Sequence, residues 1–194
     1  MATVSQPLGL WSLIQAHHVL QAGGVIAYPT EAVWGLGCDP YNEAALDRIL
    51  QIKQRDMAKG MLLVASDIEQ IEYLLGGVTA EQRAKMAASW QAGQRPTTWL
   101  VPHRGLVPSL VHGRFDTVAV RVSQHQGIQA LCEQFGGPIV STSANFSGHP
   151  AAINPLQVRK FLGAHLDFIM PGELGGAAKP SRIIDAVTDR VIRD

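Results

Sequence analysis

Cysteine is scarce in this sequence, and so are the short motifs that usually identify an enzyme class. The 194 residues include two cysteines, Cys38 and Cys132, which lie far apart with no CxxC spacing and no histidine-rich neighbour. This arrangement argues against a disulfide framework and a zinc site, so we predict two buried thiols. No apolar run approaches the roughly 18 to 20 residues that a membrane helix needs. These absences predict a cytoplasmic protein with no membrane association.

Motifs for phosphate, hydride and acyl chemistry are also missing. The sequence has no GxxxxGK[ST] phosphate loop, no GxGxxG dinucleotide fingerprint, no GxSxG nucleophile elbow and no HExxH zinc motif. Its seven histidines show no metal-ligand spacing. We therefore expect a reaction that needs no protein nucleophile and no metal held by the protein's own side chains.

The composition is that of a globular chain. Hydrophobic residues make up 46% of the sequence, and a chain of this length buries roughly 70% of the surface that its unfolded form exposes. No repeat, low-complexity tract or linker divides the chain. We predict a single domain over residues 1–194.

Helical signals recur along the chain. Apolar residues at helical spacing precede Gly23-Gly24, and Asn42 is placed to cap a second helix. Ser66 with Glu69 and Thr79 with Gln82 have the spacing of mutual caps, which predicts two more helices. Further helices are predicted around residues 128–135 and after Asn154-Pro155.

Strand signals alternate with these helices. Strands are predicted at residues 25–28, 61–65, 97–101, 118–122 and 138–140, with short ones near Phe168 and Ile183. In the fourth strand, Arg121 faces away from alternating valines, so we place it on the exposed side. The fold class is α+β, a three-layer α/β sandwich whose sheet mixes parallel and antiparallel strands.

The charges balance in number but not in position. The chain has 16 Lys and Arg against 16 Asp and Glu, whereas residues 82–166 contain 8 basic and 2 acidic side chains. If the basic ones gather on one face they attract an anionic partner, and if they scatter they are ordinary solvated side chains. The basic residues of this segment are Arg83, Lys85, Arg95, Arg104, Arg114, Arg121, Arg159 and Lys160.

Three polar segments, residues 28–37, 53–59 and 141–148, follow predicted strands or helices. The first has a proline and two glycines, which suit either a ligand-binding turn or a structural one. In the second, Lys53 and Arg55 converge on one anion if the helix ends there, and otherwise they compensate the negative end of the helix. The third offers hydroxyls and an amide to phosphate, ribose or a purine edge, or makes a turn without a ligand.

Taken together, these segments resemble the TsaC/YrdC-type L-threonylcarbamoyladenylate synthases, in the short form that has one YrdC-like domain. The matching stretches occur in the family's order between Tyr28 and Val187. They are YPTEAVWGLGCDP from Tyr28, KQRDMAKGMLLVA from Lys53, GRFDTVAVRV from Gly113, STSANFSG from Ser141 and PSRIIDAV from Pro180.

The resemblance implies a YrdC-like open twisted sheet and a nucleotidyltransferase reaction. L-threonine, bicarbonate or CO2, and ATP give threonylcarbamoyl-AMP and pyrophosphate. Partner proteins then transfer the threonylcarbamoyl group to an adenosine of tRNA. Magnesium is expected on the phosphates of ATP, held by ATP oxygens and water.

The resemblance also implies site residues. Lys53 and Arg55 match the KxR pair and are the expected catalytic residues, which contact the triphosphate. Arg121 matches the arginine that receives the threonine carboxylate, and Thr30 belongs to the PTE turn beside the threonine. The expected ATP ligands are Lys53, Arg55, Lys59, Ser141, Ser143, Asn145, Ser181 and Arg193.

Several positions depart from the family pattern, among them the Val-Ser that follows Arg121 in place of the common x-Pro. Many members have threonine at the position of Ala32 and histidine at that of Val64, both beside the threonine, and proline at that of Asp56. We therefore expect fewer side-chain contacts to threonine here.

A second hypothesis comes from a different class. The basic middle segment is also suited to a non-catalytic factor that binds double-stranded RNA or assists ribosome assembly, reading A-form RNA by shape and backbone charge. This hypothesis requires its cations to form one surface. The two hypotheses are distinguished by whether the same concavity that holds Lys53 and Ser143 is also lined by Arg83, Lys85, Arg95, Arg104 and Arg114.

Overall fold

The computed structural model describes residues 9–177 and 180–194. Over these residues the chain forms six α-helices and three 3-10 helices. The α-helices are α1 (Leu10–Gln21), α2 (Glu43–Lys53), α3 (Ala80–Ser89), α4 (Ser109–His112), α5 (Gln126–Phe135) and α6 (Pro155–Leu162). The 3-10 helices are Met57–Lys59, Glu69–Gly77 and Gly163–His165.

Capping side chains begin three of the predicted helices. Asn42 Oδ1 accepts from Ala45 N, and Asn154 Oδ1 accepts from Gln157 N in front of the proline at the first turn of α6. Thr79 and Gln82 cap each other reciprocally at the start of α3, as the sequence predicts. Each cap satisfies backbone N–H groups that the helix itself leaves unpaired.

The prediction for Ser66 and Glu69 is wrong. Ser66 Oγ donates to Asp67, and it is Asp67 Oδ1 that accepts from Gln70 N. Gln70 Oε1 in turn accepts from Ser66 N. The segment that follows is the 3-10 helix Glu69–Gly77, so the helical pattern is present but the capping pair is shifted by one residue.

Nine strands form one sheet in the described part of the chain, in the order β7-β1-β2-β6-β3-β5-β4-β8-β9. The strands are β1 (Ile26–Pro29), β2 (Trp34–Gly37), β3 (Leu62–Ala65), β4 (Thr97–Pro102), β5 (Thr117–Val122), β6 (Ile139–Ser143), β7 (Phe168–Ile169), β8 (Arg182–Asp185) and β9 (Val191–Arg193).

The sheet mixes both pairing directions. The pairs β1·β7, β3·β5 and β4·β8 are parallel, and the other five are antiparallel. Helices pack on both faces, which makes three layers. The predicted fold class, an α+β sandwich around a mixed sheet, is confirmed.

The sequence analysis assigned Trp34–Gly37 to a glycine-rich turn, but these residues are strand β2. This strand pairs with β1 and β6, and all four of its residues are buried. A Cβ on Gly37 would lie 2.7 Å from Tyr28 Cε1 and 2.7 Å from the Val140 carbonyl oxygen. The glycine is therefore required by close packing between strands.

The core lies in two layers, one on each face of the sheet. The larger cluster packs α2, α3, α6 and the 3-10 helix Glu69–Gly77 against one face. The smaller cluster packs α1 and α5 against Ile26, Tyr28 and Val64 on the other. Cys38 and Cys132 are both buried, as predicted. No helix among residues 9–177 and 180–194 is both long enough and apolar enough to cross a membrane.

Candidate functional site

A cleft of about 110 Å³ opens on the face of the sheet that α1 and α5 cover. Leu62 pairs with Ser141, and Val64 pairs with Arg121 in the neighbouring parallel strand. Directly paired residues point to the same face of a sheet, and so do residues two apart in one strand. Leu62, Arg121 and Ser141 therefore share one face, where they line the cleft.

Five of the predicted site residues line this cleft. They are Thr30, Arg121, Ser141, Ser143 and Ser181. They come from the turn after β1, from β5 and β6, and from the residue that precedes β8. Chain segments up to 151 residues apart thus meet at one place because the sheet brings their strands together.

Thr30 is fixed by the tight turn between β1 and β2. Its backbone N–H and its hydroxyl both donate to the Val33 carbonyl, at 3.1 and 2.7 Å. The residue is 7% exposed. The turn therefore presents Thr30 to the cleft in one orientation.

Arg121 is buried, which corrects the prediction that it lies on the exposed side of its strand. The residue is 7% exposed, and its Nη2 lies 3.2 Å from Glu31 Oε2. The other Glu31 oxygen accepts a hydrogen bond of 2.6 Å from the Ser123 hydroxyl. Burial raises the pKa of Glu31, but Arg121 and Ser123 outweigh it and hold that pKa below its ordinary value. Glu31 is therefore a carboxylate near neutral pH.

Lys53 is the last residue of α2 and is 4% exposed. Its ammonium donates to Asn145 Oδ1 at 2.9 Å, to the Asn145 carbonyl at 3.1 Å, and to the carbonyl and hydroxyl oxygens of Ser143. Ser143 Oγ also donates to Asn145 Oδ1 at 2.6 Å. Lys53 thus holds the end of β6 and the loop after it, and contacts the cleft through Ser143.

Burial lowers the pKa of Lys53 to about 8, with a smaller contribution from Arg55. Lys53 and Arg55 are thus close enough for Arg55 to disfavour the charge of Lys53. Two neighbouring cations of this kind suit an anionic ligand. Helix α2 does end at Lys53, and Gln54 then adopts a left-handed conformation with φ of 48°. This break is the condition that the sequence analysis set for the two cations to converge.

Arg55 lies beside the same β6 segment. Its Nη1 is 3.4 Å from Thr142 Oγ1, its Nη2 is 3.4 Å from the Lys59 carbonyl, and burial lowers its pKa. Lys59 contributes this carbonyl and has an exposed side chain. Asp56, which replaces the family's proline, caps the short helix Met57–Lys59 by accepting from Ala58 N. The substitution therefore preserves a turn that supports Arg55.

Ser181 and Arg193 meet at the far edge of the sheet. The hydroxyls of Ser181 and Thr98 are 2.9 Å apart, and Arg193 donates to the Ser181 carbonyl through Nη2 at 2.7 Å and Nε at 3.2 Å. The pKa of Arg193 is lowered by burial and by Arg121 and Arg95. Arg193 is therefore oriented by Ser181 and lies close enough to Arg121 to feel its charge.

Of the ten predicted residues, the other five do not line the cleft in the described part of the chain. They are Lys53, Arg55, Lys59, Asn145 and Arg193. Lys53 and Asn145 contact Ser143, Arg55 contacts Thr142, and Arg193 contacts Ser181. Only the exposed Lys59 side chain has no such link to a cleft residue.

Ala32 and Val64, the two departures that the resemblance places beside threonine, lie in different environments. Ala32 lines the cleft. Val64 is fully buried and packs in the cluster that includes Tyr28 and Ile128. The structure thus places Leu62, and not Val64, in the wall of the cleft.

The sequence analysis missed several residues of the site. Glu31, Leu62, Pro96 and Thr142 line the cleft. Glu31 had a detectable signal, because it follows Thr30 directly in the PTE turn. Ser123, which anchors Glu31, had none, because its contact depends on the pairing of distant strands.

A second cavity, of about 500 Å³, shares Glu31 and Pro96 with the cleft. Residues 175–177 form one wall of it, where Gly175 N donates to the Thr30 carbonyl and Ala177 N donates to the Glu31 carbonyl. The glycines at 172, 175 and 176 make residues 171–180 either a candidate lid or an ordinary surface loop, and this segment runs along the Thr30 turn as far as residue 177. Residues 178 and 179 of that segment lie outside the described part of the chain.

The basic middle segment does not gather around the cleft. Lys85 lies 2.5 Å from Asp189 and Arg95 lies 2.8 Å from Asp194, while Arg83 pairs with Glu72. None of the five cations named by the RNA hypothesis is among the described residues that line the cleft with Ser143. The RNA hypothesis is therefore not favoured.

No group of three or more His, Cys, Asp or Glu side chains suited to a metal ion occurs among residues 9–177 and 180–194.

The fold and the cleft define a class: an α+β protein with a small polar cleft beside a pair of cations and around a buried arginine. Comparison with known proteins narrows the class. The family model Sua5_yciO_yrdC, described as telomere recombination, matches residues 18–194. The chain belongs to this Sua5/YciO/YrdC family, which confirms the predicted resemblance.

Two curated relatives match over almost their full lengths. A threonylcarbamoyl-AMP synthase from Saccharophagus degradans is 49% identical over 191 residues, which cover 96% of this chain and 98% of the relative. A threonylcarbamoyl-AMP synthase from Marinobacter nauticus is 47% identical over 194 residues, with both chains covered completely.

A solved structure supports the fold. The crystal structure of P. abyssi Sua5 complexed with L-threonine superposes with a TM-score of 0.81 at 30% identity. The match covers 90% of this chain and 51% of that one, so this chain spans about half the length of Sua5.

Proposed function

We propose that this chain is an L-threonylcarbamoyladenylate synthase. This nucleotidyltransferase uses L-threonine, bicarbonate and ATP to form threonylcarbamoyl-AMP and pyrophosphate. The relatives that match it over full length are threonylcarbamoyl-AMP synthases. The structural observation that supports the proposal most is the meeting of Thr30, Arg121, Ser141, Ser143 and Ser181 in one cleft, next to Lys53 and Arg55.

The cleft divides into two regions of different chemistry. Arg121 and Thr30 form the threonine region, in which the guanidinium binds the amino acid's carboxylate. The ATP region has Ser141, Ser143 and Ser181 in the wall of the cleft. Beside this wall lie Asn145, Lys53, Arg55 and Arg193, each linked to it by a hydrogen bond. We assign the exposed Lys59 to ATP as well.

The reaction proceeds by positioning and by charge stabilisation. The neutral threonine amine attacks the carbon of CO2 and a proton is released, or it attacks the carbon of bicarbonate and water is released; either route leaves a carbamate. A carbamate oxygen then attacks the α-phosphorus of ATP, and the bond to the β-phosphate oxygen breaks as pyrophosphate leaves. Lys53 and Arg55 stabilise the negative charge that develops on the departing pyrophosphate.

Magnesium is part of the proposal as an ion that arrives on ATP. Mg²⁺ favours phosphate oxygens and water as ligands and keeps several waters when it binds to nucleotides. The absence of a carboxylate cage in the described residues leaves the ion to ATP, and no step is assigned to it here.

The finer biological assignments are also proposed. The product serves tRNA modification, in which separate proteins transfer the threonylcarbamoyl group to tRNA. We assign the chain to the cytoplasm and treat residues 1–194 as a single YrdC-like domain.

The test is release of pyrophosphate by the purified protein. We expect release that requires ATP, threonine and bicarbonate together, with threonylcarbamoyl-AMP detected by mass spectrometry. Pyrophosphate release that is unchanged when threonine or bicarbonate is omitted would falsify the proposal.

Arg55→Ala tests the anion site. We expect a loss of about 100-fold or more in kcat, since removal of one charge-stabilising donor typically costs this much. Arg159→Ala is the matched control, because Arg159 is exposed on α6 and lies outside the cleft. Equal activity in the two variants would show that Arg55 is not part of the anion site.

A further inference from the structure

Glu31 and Arg121 form a buried ion pair that borders the cleft. Their side chains are 12% and 8% exposed, and the two charges are separated by 3.2 Å. Among the described residues that line the cleft, Glu31 is the one acid and Arg121 the one base. The net charge of the lining is therefore zero.

The stability of the fold does not explain this buried ion pair between Glu31 and Arg121. Removing two charges from water is expensive, and apolar side chains of similar volume often stabilise a core as well or better. The Glu31 carboxylate is also held in one orientation, because the fully buried Ser123 donates to its Oε1 at 2.6 Å. Glu31 Oε2 contacts Arg121 and makes no hydrogen bond to another side chain in the described residues.

We propose that Glu31 is a specificity-determining residue that makes the Arg121 pocket select a zwitterionic α-amino acid over a carboxylate without an ammonium group. This inference rests on the proposed function, in which Arg121 receives the threonine carboxylate.

The selection follows from charge balance. A carboxylate bound to Arg121 lies within roughly 7 Å of Glu31, because both anions contact one guanidinium. If the ligand is a simple anion, the pocket holds two negative charges against one positive charge. If the ligand is a zwitterion, its ammonium is attached to the carbon that bears the carboxylate and restores neutrality. At an effective dielectric constant of about 20, charges at such distances change binding by roughly 10- to 100-fold.

The experiment compares two near-isosteric ligands by calorimetry. Threonine carries the ammonium, and 2,3-dihydroxybutyrate carries a hydroxyl in its place. Wild-type protein should bind threonine at least 10-fold more tightly than the dihydroxy acid. In Glu31→Gln, threonine should bind about 10-fold more weakly and the dihydroxy acid more tightly. Opposite shifts for the two ligands are not produced by general damage to the pocket.

Two variants complete the design. Glu31→Asp keeps the charge and should keep threonine as the preferred ligand. Glu133→Gln removes an exposed carboxylate on α5 and should leave both affinities unchanged. If Glu31→Gln does not fold, the wild-type preference and the Asp variant still test the idea.

The proposal is overturned if wild-type protein binds both ligands equally, or if Glu31→Gln weakens both by the same factor. Pyrophosphate release by the wild type is measured on the same samples. Threonine-dependent release without charge selection rejects this inference alone, whereas no release rejects the proposed function.

Discussion

Lys53 is a lysine whose ammonium is surrounded by four oxygens of two residues, Ser143 and Asn145. Burial nevertheless lowers its pKa to about 8, with Arg55 as the second cause. Its proton is therefore lost within an accessible range of pH. Loss of this proton removes the positive charge that attracts a phosphate and one of the three N–H donors.

The pH dependence of ATP use should report this proton. Lys53 is cationic below pH 8 and neutral above it, so kcat/KM for ATP should be flat below about pH 8 and fall toward tenfold per unit above it. The measurement is a kcat/KM profile from pH 6.5 to about 9.5 at saturating threonine and bicarbonate.

Lys53→Arg is the control for this profile, because a guanidinium keeps its proton throughout the range. The variant should be slower at every pH and should lose the alkaline limb. An unchanged limb in Lys53→Arg would assign the titration to another group.

At the residue scale, side-chain identity was easier to predict than environment. The family resemblance implied Arg121 and Thr30 as site residues, and both line the cleft. The alternation of β5 placed Arg121 on an exposed face, and this was wrong. Alternation shows only that Arg121 points away from the valines, whereas its burial depends on Glu31 in a distant turn.

At the scale of elements, strand β2 shows how two glycines serve packing. Tyr28 from β1 lies across β2, and its hydroxyl donates to the Val140 carbonyl of β6 at 3.3 Å. Gly37 leaves the space for this ring. The Tyr28 side chain therefore links β1 to β6, and it crosses β2 at Gly37, where no side chain blocks it.

Gly37→Ala should destabilise the protein by about 1–3 kcal/mol, because overpacking a close-packed interior forces its neighbours to shift. The added Cβ would lie 2.7 Å from both the Tyr28 ring and the Val140 carbonyl oxygen. Thermal unfolding should show a drop in Tm of roughly 2–4 °C for each kcal/mol in a domain of this size.

Gly137→Ala is the matched control, since a Cβ at Gly137 would meet nothing within 4 Å. Its Tm should change by no more than about 1 °C, as expected for substitutions away from packed features. Equal destabilisation in both variants would show that loss of glycine, and not the contact with Tyr28, is responsible.

Local signals predicted the elements that depend on local contacts. Asn42, Thr79 and Asn154 cap helices through residues three positions away, so their sequence pattern contains the whole interaction. Strand β2 was missed because glycine is unfavourable in strands unless a partner approaches closely. That partner, Tyr28, belongs to another strand, so a sequence window around β2 does not include it.

At the scale of the whole molecule, the sheet order assembles the site. Strands β6, β3 and β5 are neighbours although β3 is followed in the chain by β4. This crossing puts Ser141, Leu62 and Arg121 side by side. The order of the motifs predicted that they belong together, but the contacts of Lys53 with Asn145 and of Glu31 with Ser123 required the three-dimensional pairing.

The zero net charge of the molecule is matched by ion pairs between distant parts of the chain. The basic middle segment is compensated by acids from outside it: Glu72 pairs with Arg83, Asp189 with Lys85, and Asp194 with Arg95. Each of these pairs is partly exposed, and ion pairs in contact with water contribute little to stability. Their larger effect is to reduce the positive electrostatic potential that attracts a polyanion to this surface.

Removal of the three compensating acids should therefore create polyanion binding without unfolding the protein. The variant Glu72→Gln/Asp189→Asn/Asp194→Asn removes the acidic partners of Arg83, Arg95 and Arg182 and one of the two partners of Lys85, which keeps Glu81. It should elute from heparin at clearly higher salt than wild type. The control Glu43→Gln/Glu69→Gln/Glu133→Gln removes three exposed acids that form no ion pair in the described residues. It has the same net charge and should elute close to wild type. Late elution of both variants would mean that net charge alone decides binding, and early elution of both would mean that these ion pairs do not mask the cations.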